Sequence, residues 1–552
     1  MTTWSIRMPL LQIQQLQYAL PDGSQPFPAL SHAFPFRRTG LVGRNGCGKS
    51  LLGQLLAGQL APHAGHVLCE GSIHRLPQEL DPDGHPTAAH LAGMAETLAA
   101  LRRIRDGSLD ERDYQLLQDR WDCESSFQQL LSDAGLNGMS PDTPSATLSG
   151  GERQRIALHA ALRSGAEWLI LDEPSNHLDL PCRAALRDSL RHWTGGLVLI
   201  SHDASLLEWM DDIAELSRHG LCCYGCGYAG YLIERDRMRS LSQSQLQAQR
   251  QAERQLKRRQ QQERERQQKR ASRGERQAAQ GNQSKLITDA QKDRSQQSRG
   301  TLLLRQQHAL ERQRATLREA QARTDDAVPP SFNAPGCELP ATKLALELEG
   351  VRLPHGARAP IDLRLAGPER LAIVGANGSG KSTLLRVIAG QLQPSSGLMR
   401  RHVAAGWLDQ HAGSAQPELS PCQWLQSLSP GMSETEARIR LAQLGLSAEQ
   451  ASRDSAALSG GEAMRVALAA RLCATPAPQL LLLDEPDNHL DRDSRDALLA
   501  MLAPYRGALL AVSHDLDFLA KLRPDRWLWL KTDSPHAWFD SVPQEMLATL
   551  GW

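Results

Sequence analysis

No apolar run in the 552 residues approaches the roughly 18 to 20 needed to cross a bilayer, so no membrane-spanning helix is expected. The start, MTTWSIRMPLLQIQQ, lacks the basic region followed by an apolar stretch that marks a secretory leader. Both absences lead to the expectation of a cytoplasmic protein. Cysteine offers no framework either. Ten are scattered, and the one cluster, LCCYGCGY with Cys222, Cys223 and Cys226, has no second CxxC to complete a zinc site. We read it as a reduced loop. Net charge is missing too, with 62 Lys and Arg against 62 Asp and Glu. Hydrophobic residues are present in ordinary amount, 41%, which excludes a disordered chain, and the length suits three or four domain-sized units.

The neutrality is an average over unlike parts. Residues 241–324 hold 20 Lys and Arg against 8 Asp and Glu, a balance of +12, so the remainder carries −12. Within this segment residues 236–273 contain neither Gly nor Pro and are dominated by Gln, Arg, Glu, Ala and Leu, all good helix formers. As a helix that stretch would extend about 57 Å. Gly274, Gly281 and Asn282 then interrupt the pattern and predict a tip near 274–285. Residues 301–323 carry Leu303, Leu310 and Leu317 at a seven-residue spacing, the seam of a narrow coiled coil, and Val328, Pro329 and Pro330 end it. The alternative, a solvated spacer helix, has no need of such a one-sided charge. A rod that meets nucleic acid gains by releasing counterions from phosphates.

On either side of the basic segment the chain repeats itself. LVGRNGCGKS at 41 returns as IVGANGSGKS at 373, LSGGERQRIAL at 148 as LSGGEAMRVAL at 458, LILDEPSNHLD at 169 as LLLDEPDNHLD at 481, and ISHD at 200 as VSHD at 512. The offset between copies is 332 at Gly43 and Gly375 and 310 at Ser149 and Ser459, so the first copy holds 22 extra residues between its Gln78 and its LSGGE. In each copy an apolar run feeds a glycine loop and a helical pattern, and a later apolar run ends in Asp-Glu. That is the pattern of a parallel-sheet α/β domain.

The glycine loops carry the first chemistry. GxxxxGKS sets backbone N–H groups and a helix N-terminus around nucleotide phosphates, with Gly43, Asn45, Gly46 and Gly48, or Gly375, Asn377, Gly378 and Gly380, forming the cradle. Lys49 or Lys381 reaches the β/γ-phosphates and Ser50 or Ser382 takes Mg²⁺. Asp172 and Asp484, at the ends of buried strands, would hold the metal through water. Glu173 and Glu485, one residue beyond, stand where a carboxylate can orient or deprotonate an attacking water. A merely structural glycine turn does not account for two such loops, each followed by a strand ending in DEP.

LSGGE is the signature of the ATP-binding cassette (ABC) ATPases, and the chain resembles them in motif order across both copies. In that family two cassettes meet head to tail, the signature of one closing over the nucleotide of the other. The resemblance therefore implies two composite ATP·Mg²⁺ sites. The first would hold Lys49, Ser50, Gln78, Asp172, Glu173 and His202, closed by Ser459 and Gly461. The second would hold Lys381, Ser382, Thr383, Gln410, Asp484, Glu485 and His514, closed by Ser149 and Gly151. Gln78 and Gln410 join the serines and aspartates on the metal side, and His202 and His514 match the switch histidine at the γ-phosphate.

DEPxNHLD twice, two cassettes in one chain, no membrane span and a long basic linker look like the ABC-F proteins, most of which act on the ribosome. The resemblance implies two P-loop ABC ATPase domains of α/β class joined by a long antiparallel α-helical coiled coil. The first domain is expected over 1–235 with a short helical arm at about 85–125, the basic hairpin over 236–330 and the second domain over 331–552. It further implies that the linker contacts ribosomal RNA and the tRNA at the peptidyl site, and that the chain works as a monomer whose own cassettes pair.

Three positions depart from the family pattern. Leu51 stands where Thr383 stands in the second copy, so a hydroxyl at the α-phosphate is missing. The aromatic that stacks on adenine has a candidate in Tyr18, whereas its counterpart is Leu353. Ala463 replaces a basic residue, and nothing in the sequence explains it. Other classes remain to be weighed. A transporter motor would need a membrane subunit, a DNA-handling relative would use the same +12, and an iron-sulfur recycling factor would need cysteines before Cys47. Housekeeping translation factor, resistance factor and self-protection protein stay open at this point.

Overall fold

The computed structural model describes residues 10–176, 178–280, 336–409, 417–488, 490–532 and 534–542. The chain divides into two compact units, one of Met1–Tyr228 with Val328–Trp552 and one of Ala229–Ala327. No described helix is long and apolar enough to cross a membrane.

In the first unit each sequence repeat folds as a cassette. The strands of the first are β1 (Leu11–Gln17), β2 (Leu30–Phe34), β3 (Arg38–Val42), β4 (Ala64–Cys69), β5 (Ile73–Leu76), β6 (Trp168–Asp172), β7 (Gly196–Ile200), β8 (Asp212–Ser217) and β9 (Gly220–Cys223). Its helices are α1 (Lys49–Leu56), α2 (Ala88–Leu91), α3 (Ala95–Arg105), α4 (Glu111–Leu117), α5 (Cys123–Asp133), α6 (Gly150–Arg163), α7 (Leu180–Arg191) and α8 (Ala204–Leu207). A three-stranded antiparallel sheet runs β2-β1-β4, and a six-stranded sheet runs β5-β6-β7-β3-β8-β9, parallel except for its last pair. β6 and β7, WLILD and GLVLI, are buried at every position. Unbroken apolar strands of this kind are what a parallel sheet covered on both faces requires. Leu11, Ile13, Phe27, Leu52, Leu55, Ile170 and Ile200 form one core between the two sheets and α1.

The second cassette repeats the plan after the linker helix α9 (Tyr228–Gln280). Its strands are β10 (Leu344–Arg352), β11 (Ile361–Ala366), β12 (Arg370–Val374), β13 (Ser396–Arg401), β14 (Ala405–Leu408), β15 (Leu480–Asp484), β16 (Ala508–Val512), β17 (Arg526–Trp529) and β18 (Ala537–Phe539). Its helices are α10 (Lys381–Ala389), α11 (Pro421–Leu428), α12 (Glu434–Gln443), α13 (Gly460–Leu472), α14 (Arg492–Leu502) and α15 (Leu516–Lys521). The sheet orders, β11-β10-β13 and β14-β15-β16-β12-β17-β18, are those of the first copy.

The 22 extra residues fall on an α3–α4 hairpin. Between β5 and α6 the first cassette has four α-helices, where the described residues of the second have α11 and α12. Ion pairs hold the hairpin to itself and to its base, Arg103 to Asp113 at 2.6 Å, Arg105 to Glu124 at 2.7 Å and Arg102 to Asp142 at 2.9 Å.

In the second unit α9 is one continuous helix, 53 residues counted from Tyr228, or about 80 Å of rise. It begins before the expected residue 236 and runs on through Gly274, so the tip does not start at 274. A single glycine costs only about 1 kcal/mol and cannot by itself end so long a helix. The remainder of the predicted tip and the return leg over 301–323 lie outside the described residues, as does Gln410.

Candidate nucleotide sites

The phosphate loops follow from backbone demands. Gly48 and Gly380 cap α1 and α10 in the left-handed region, at φ 94° and 95°. A side chain at Gly43 or Gly375 would collide with the carbonyl oxygen of Leu216 or Leu530. Only glycine lets the loop close this tightly while turning its N–H groups outward. The parallel register brings Leu41 and Asp172 against Ile200 on either side of β7, which sets the β6 acids beside the loop.

Lys49 and Lys381 are buried and span their own loops. Lys49 Nζ donates to the carbonyls of Gly43 (2.7 Å) and Arg44 (3.1 Å), and Lys381 Nζ to those of Gly375 (2.8 Å) and Ala376 (3.0 Å). Ser50 Oγ donates to Asp172 at 3.1 Å and Ser382 Oγ to Asp484 at 3.0 Å. Burial pushes the carboxyl of Asp172 up, against the pull of Ser50 and Arg75, and pushes that of Asp484 up to about 6. Each carboxyl touches a loop hydroxyl, and once ionised the two form an all-oxygen donor pair of the kind Mg²⁺ takes.

Glu173 and Glu485 are held at φ 47° and 50°, a conformation that costs a non-glycine residue of order 1 kcal/mol or more. The backbone is fixed there because each N–H donates across to the next strand, Glu173 to Ile200 O (2.8 Å) and Glu485 to Val512 O (2.9 Å). His202 Nε2 lies 3.8 Å from Glu173 and His514 Nε2 lies 3.4 Å from Glu485. The two glutamates nevertheless differ. Burial pushes Glu173 up to about 7. Burial acts on Glu485 in the same direction, but the His514 ring, the Lys381 charge and the Asn488 amide outweigh it and hold the group down to about 2.

The cassettes meet head to tail. A cavity of about 510 Å³ is lined by Asn45, Lys49, Ser50, Leu51, Gln78, Glu173 and His202 of the first cassette together with Gly460, Asn488, Leu490 and Asp515 of the second. At the first site the Asn45 N–H donates to Asp491 at 2.9 Å, and at the second the Asn377 N–H donates to Asp179 at 3.1 Å. Arg183 Nη1 also donates to the His514 carbonyl at 3.5 Å. Asp179 and Asp491 each cap a helix as well, accepting from Cys182 (3.2 Å) and Ser494 (2.8 Å). Sequence reasoning left these two aspartates without a role, although each is the last letter of the DEPxNHLD motif it singled out.

The signature residues sit at helix N-termini. Ser149 and Ser459 cap α6 and α13 in reciprocal capping boxes with Glu152 and Glu462. Gly460 of that helix start lines the first cavity, while a side chain at Gly461 would strike Ser494 of its own cassette. Gly46, Gly378 and Gly151 keep their places in the loops and signature helix, and Thr383 is the third residue of α10. Ser459 and Gly461 do not themselves line the cavity, and neither does Tyr18. Its ring meets His63 edge-on at 5.1 Å and packs on the hydrophobic core, and the cavity is bounded instead by Leu20 and Pro26. Arg75, which the sequence did not flag, ion-pairs with Asp172 at 3.1 Å, with the two side chains 5% and 0% exposed.

Comparison with known proteins agrees with this arrangement. The family model described as ABC transporter matches residues 32–176 and 359–488. Probable ATP-binding protein YheS of Escherichia coli K12 is 31% identical over 513 residues, 90% of this chain and 74% of that protein. Tylosin resistance ATP-binding protein TlrC of Streptomyces fradiae is 33% identical over 509 residues, 87% and 90% of the two chains. ATP-binding cassette sub-family F member 3 of Mus musculus is 28% identical over 524 residues, 89% and 67%. Among solved structures, one titled as a model of ribosome-bound archaeal Pelota and ABCE1 superposes at TM-score 0.57 and 19% identity over 97% of this chain and 81% of that one, a likeness of fold. With both cassettes in one chain and relatives of this identity along nearly its whole length, the chain belongs to the ABC-F family of ATP-binding cassette ATPases.

Proposed function

We propose that this ATPase binds the ribosome in its ATP-bound, closed form, extends its basic linker toward the peptidyl-site tRNA and leaves on hydrolysis, as a translation factor or as a ribosome-protecting resistance factor. The observation that carries the reading is the pairing of head-to-tail nucleotide sites with a 53-residue helix opening a segment of charge +12. The resistance branch draws on the 33% identity to TlrC over nearly the full chain. The protein would act in the cytoplasm as a monomer, since the cassettes of one chain already supply both halves of each site.

At each site the loop N–H groups and Lys49 or Lys381 bind the phosphates. Ser50 with Asp172, and Ser382 with Asp484, would hold Mg²⁺, which when bound neutralises phosphate charge and orients the γ-phosphate. Glu173 and Glu485 then position the attacking water and His202 and His514 face the γ-phosphate side, while Asp179, Asp491 and the signature helices close each site from the opposite cassette. Gln78 and Gln410 complete the metal side.

The test is to trap the closed form with Glu173→Gln and Glu485→Gln together and to sediment it with ribosomes in ATP. We expect co-sedimentation that weakens steeply with salt, because several phosphate contacts release counterions. Binding to branched duplex DNA with no affinity for ribosomes would replace this reading by the DNA-handling one. A trapped protein that stays ribosome-free at low salt would refute it.

A further inference from the structure

The two sites share their motifs but not their surroundings, and the difference centres on Arg75. This residue lies on β5, paired with Ile170 of β6, two positions before Asp172. Its Nη2 donates to Asp172 Oδ2 at 3.1 Å and its Nη1 to Gln59 Oε1 at 2.8 Å, while Ser50 holds the other carboxylate oxygen at 3.1 Å. The buried guanidinium has the space it needs because Gly53 of α1 lies beneath it. A Cβ on Gly53 would stand 3.6 Å from Arg75 Nε, and a longer side chain would run into the guanidinium. In the second cassette, at the same offset of 332, the pair is Leu385 and Trp407, both apolar in character, with Leu385 fully buried. Asp484 there keeps its Ser382 bond and has no arginine at the place of Arg75. Two positions 22 residues apart in sequence have thus changed together: a glycine where an arginine needs room, a leucine where a tryptophan does not.

We propose that Arg75 is a positioning residue that occupies one oxygen of Asp172 and makes the first site take Mg²⁺ less readily than the second. The inference rests on the reading of Asp172 and Asp484 as metal-side acids. A fixed positive charge within hydrogen-bond distance of Asp172 repels a divalent cation approaching the same carboxylate, and it must surrender that oxygen or share it. Among the described residues Asp484 has the Ser382 hydroxyl to displace and no hydrogen-bonded arginine, the Arg386 charge acting on it without a direct bond. ATP at equal concentration therefore engages the second site at lower free Mg²⁺, which gives the two sites an order of loading.

The experiment is a Mg²⁺ titration of fluorescent ATP-analogue binding, in full-length protein carrying Lys381→Ala to report the first site or Lys49→Ala to report the second. A parallel Mn²⁺ titration read by electron paramagnetic resonance follows the metal directly. We expect half-saturation at the first site to need about tenfold more free Mg²⁺ than at the second. Arg75→Lys should retain most of that gap. Gly53→Leu with Arg75→Trp transplants the second cassette's own packed pair, avoids leaving a bare cavity, and should bring the first site to the second site's Mg²⁺ requirement. Equal requirements in the unsubstituted sites, or a transplant that leaves the first site unchanged while thermal melting shows it folded, overturn the proposal and leave the site reading standing. ATP binding that ignores Mg²⁺ at both sites would overturn the site reading itself.

Discussion

Asp491 performs two tasks with two oxygens, and a serine in its place separates them. Oδ1 accepts from the Ser494 N–H at 2.8 Å and caps α14, while Oδ2 accepts from the Asn45 N–H of the other cassette at 2.9 Å. Serine caps a helix about as well as aspartate, so Asp491→Ser should leave the stability of the second cassette within a few tenths of a kcal/mol. The serine hydroxyl is shorter and uncharged and cannot also reach Asn45. A hydrogen bond to a charged group is worth about 1.5 to 3 kcal/mol, and Asp491 is only 6% exposed, so water restores little of the loss. At 1.4 kcal/mol per decade, the equilibrium for closing the cassettes should fall roughly 10- to 100-fold. Fluorescence energy transfer between dyes on the two cassettes, in the Glu173→Gln and Glu485→Gln background, reads that equilibrium as the ATP concentration for half closure. Asp491→Ala serves as the comparison, because it loses the cap as well and should melt about 1 kcal/mol less stable. If Asp491→Ser closed at the same ATP concentration as its parent, the Asn45 contact would not be part of closure.

The opposite displacements of the two glutamates predict opposite effects of the same substitution in nucleotide-free protein. Glu173, pushed up to about 7, contributes stability below its ordinary 4.5 that is lost as pH rises through 7, so Glu173→Gln should melt above the parent at pH 8 by up to about 3 kcal/mol, with the gap closing at pH 5. Glu485, held down to about 2, contributes stability above 4.5 that is lost only as pH falls toward 2, so Glu485→Gln should melt below the parent at both pH values. Tyr18→Ala should leave the ratio of ATP to GTP binding at the first site unchanged in competition titrations, since Leu20 and Pro26 bound that cavity and the tyrosine ring does not line it.

The parts legible in the sequence were those whose chemistry dictates residue type at fixed spacing. GxxxxGKS must place Gly48 at positive φ and Ser50 one residue into α1, and an apolar run ending in Asp-Glu must deliver Asp172 at the edge of a buried sheet. Two copies removed the ambiguity of each. What stayed hidden depended on partners distant in the chain. Asp491 meets Asn45 across 446 positions, and no spacing announces that contact. Arg75 reads as a surface residue of a short strand until Gly53 and Asp172 are seen around it, although comparing the copies position by position would have exposed the exchange of Gly53 and Arg75 for Leu385 and Trp407. Tyr18, the upstream aromatic that the family pattern offers for adenine, does not line the first cavity, because its ring packs on His63 and the hydrophobic core.

The trans contacts also tie the sites to one another and to the root of the linker. Asp179 and Asp491 are each the first residue before a helix, α7 and α14, so each phosphate loop is anchored on a helix that belongs to the opposite cassette and follows that cassette's own Asp-Glu strand. Only five residues separate Glu485 from Asp491, which holds Asn45 of the first site, and five separate Glu173 from Asp179, which holds Asn377 of the second. The next residue after Asp491, Arg492, donates to the hydroxyl of Tyr228 at 3.2 Å, and Tyr228 is the first residue of α9. One helix N-terminus thus holds both the loop of the first nucleotide site and the base of the helix that opens the basic segment. Withdrawing Asp491 from Asn45 would either carry Tyr228 with α14 or break its bond to Arg492.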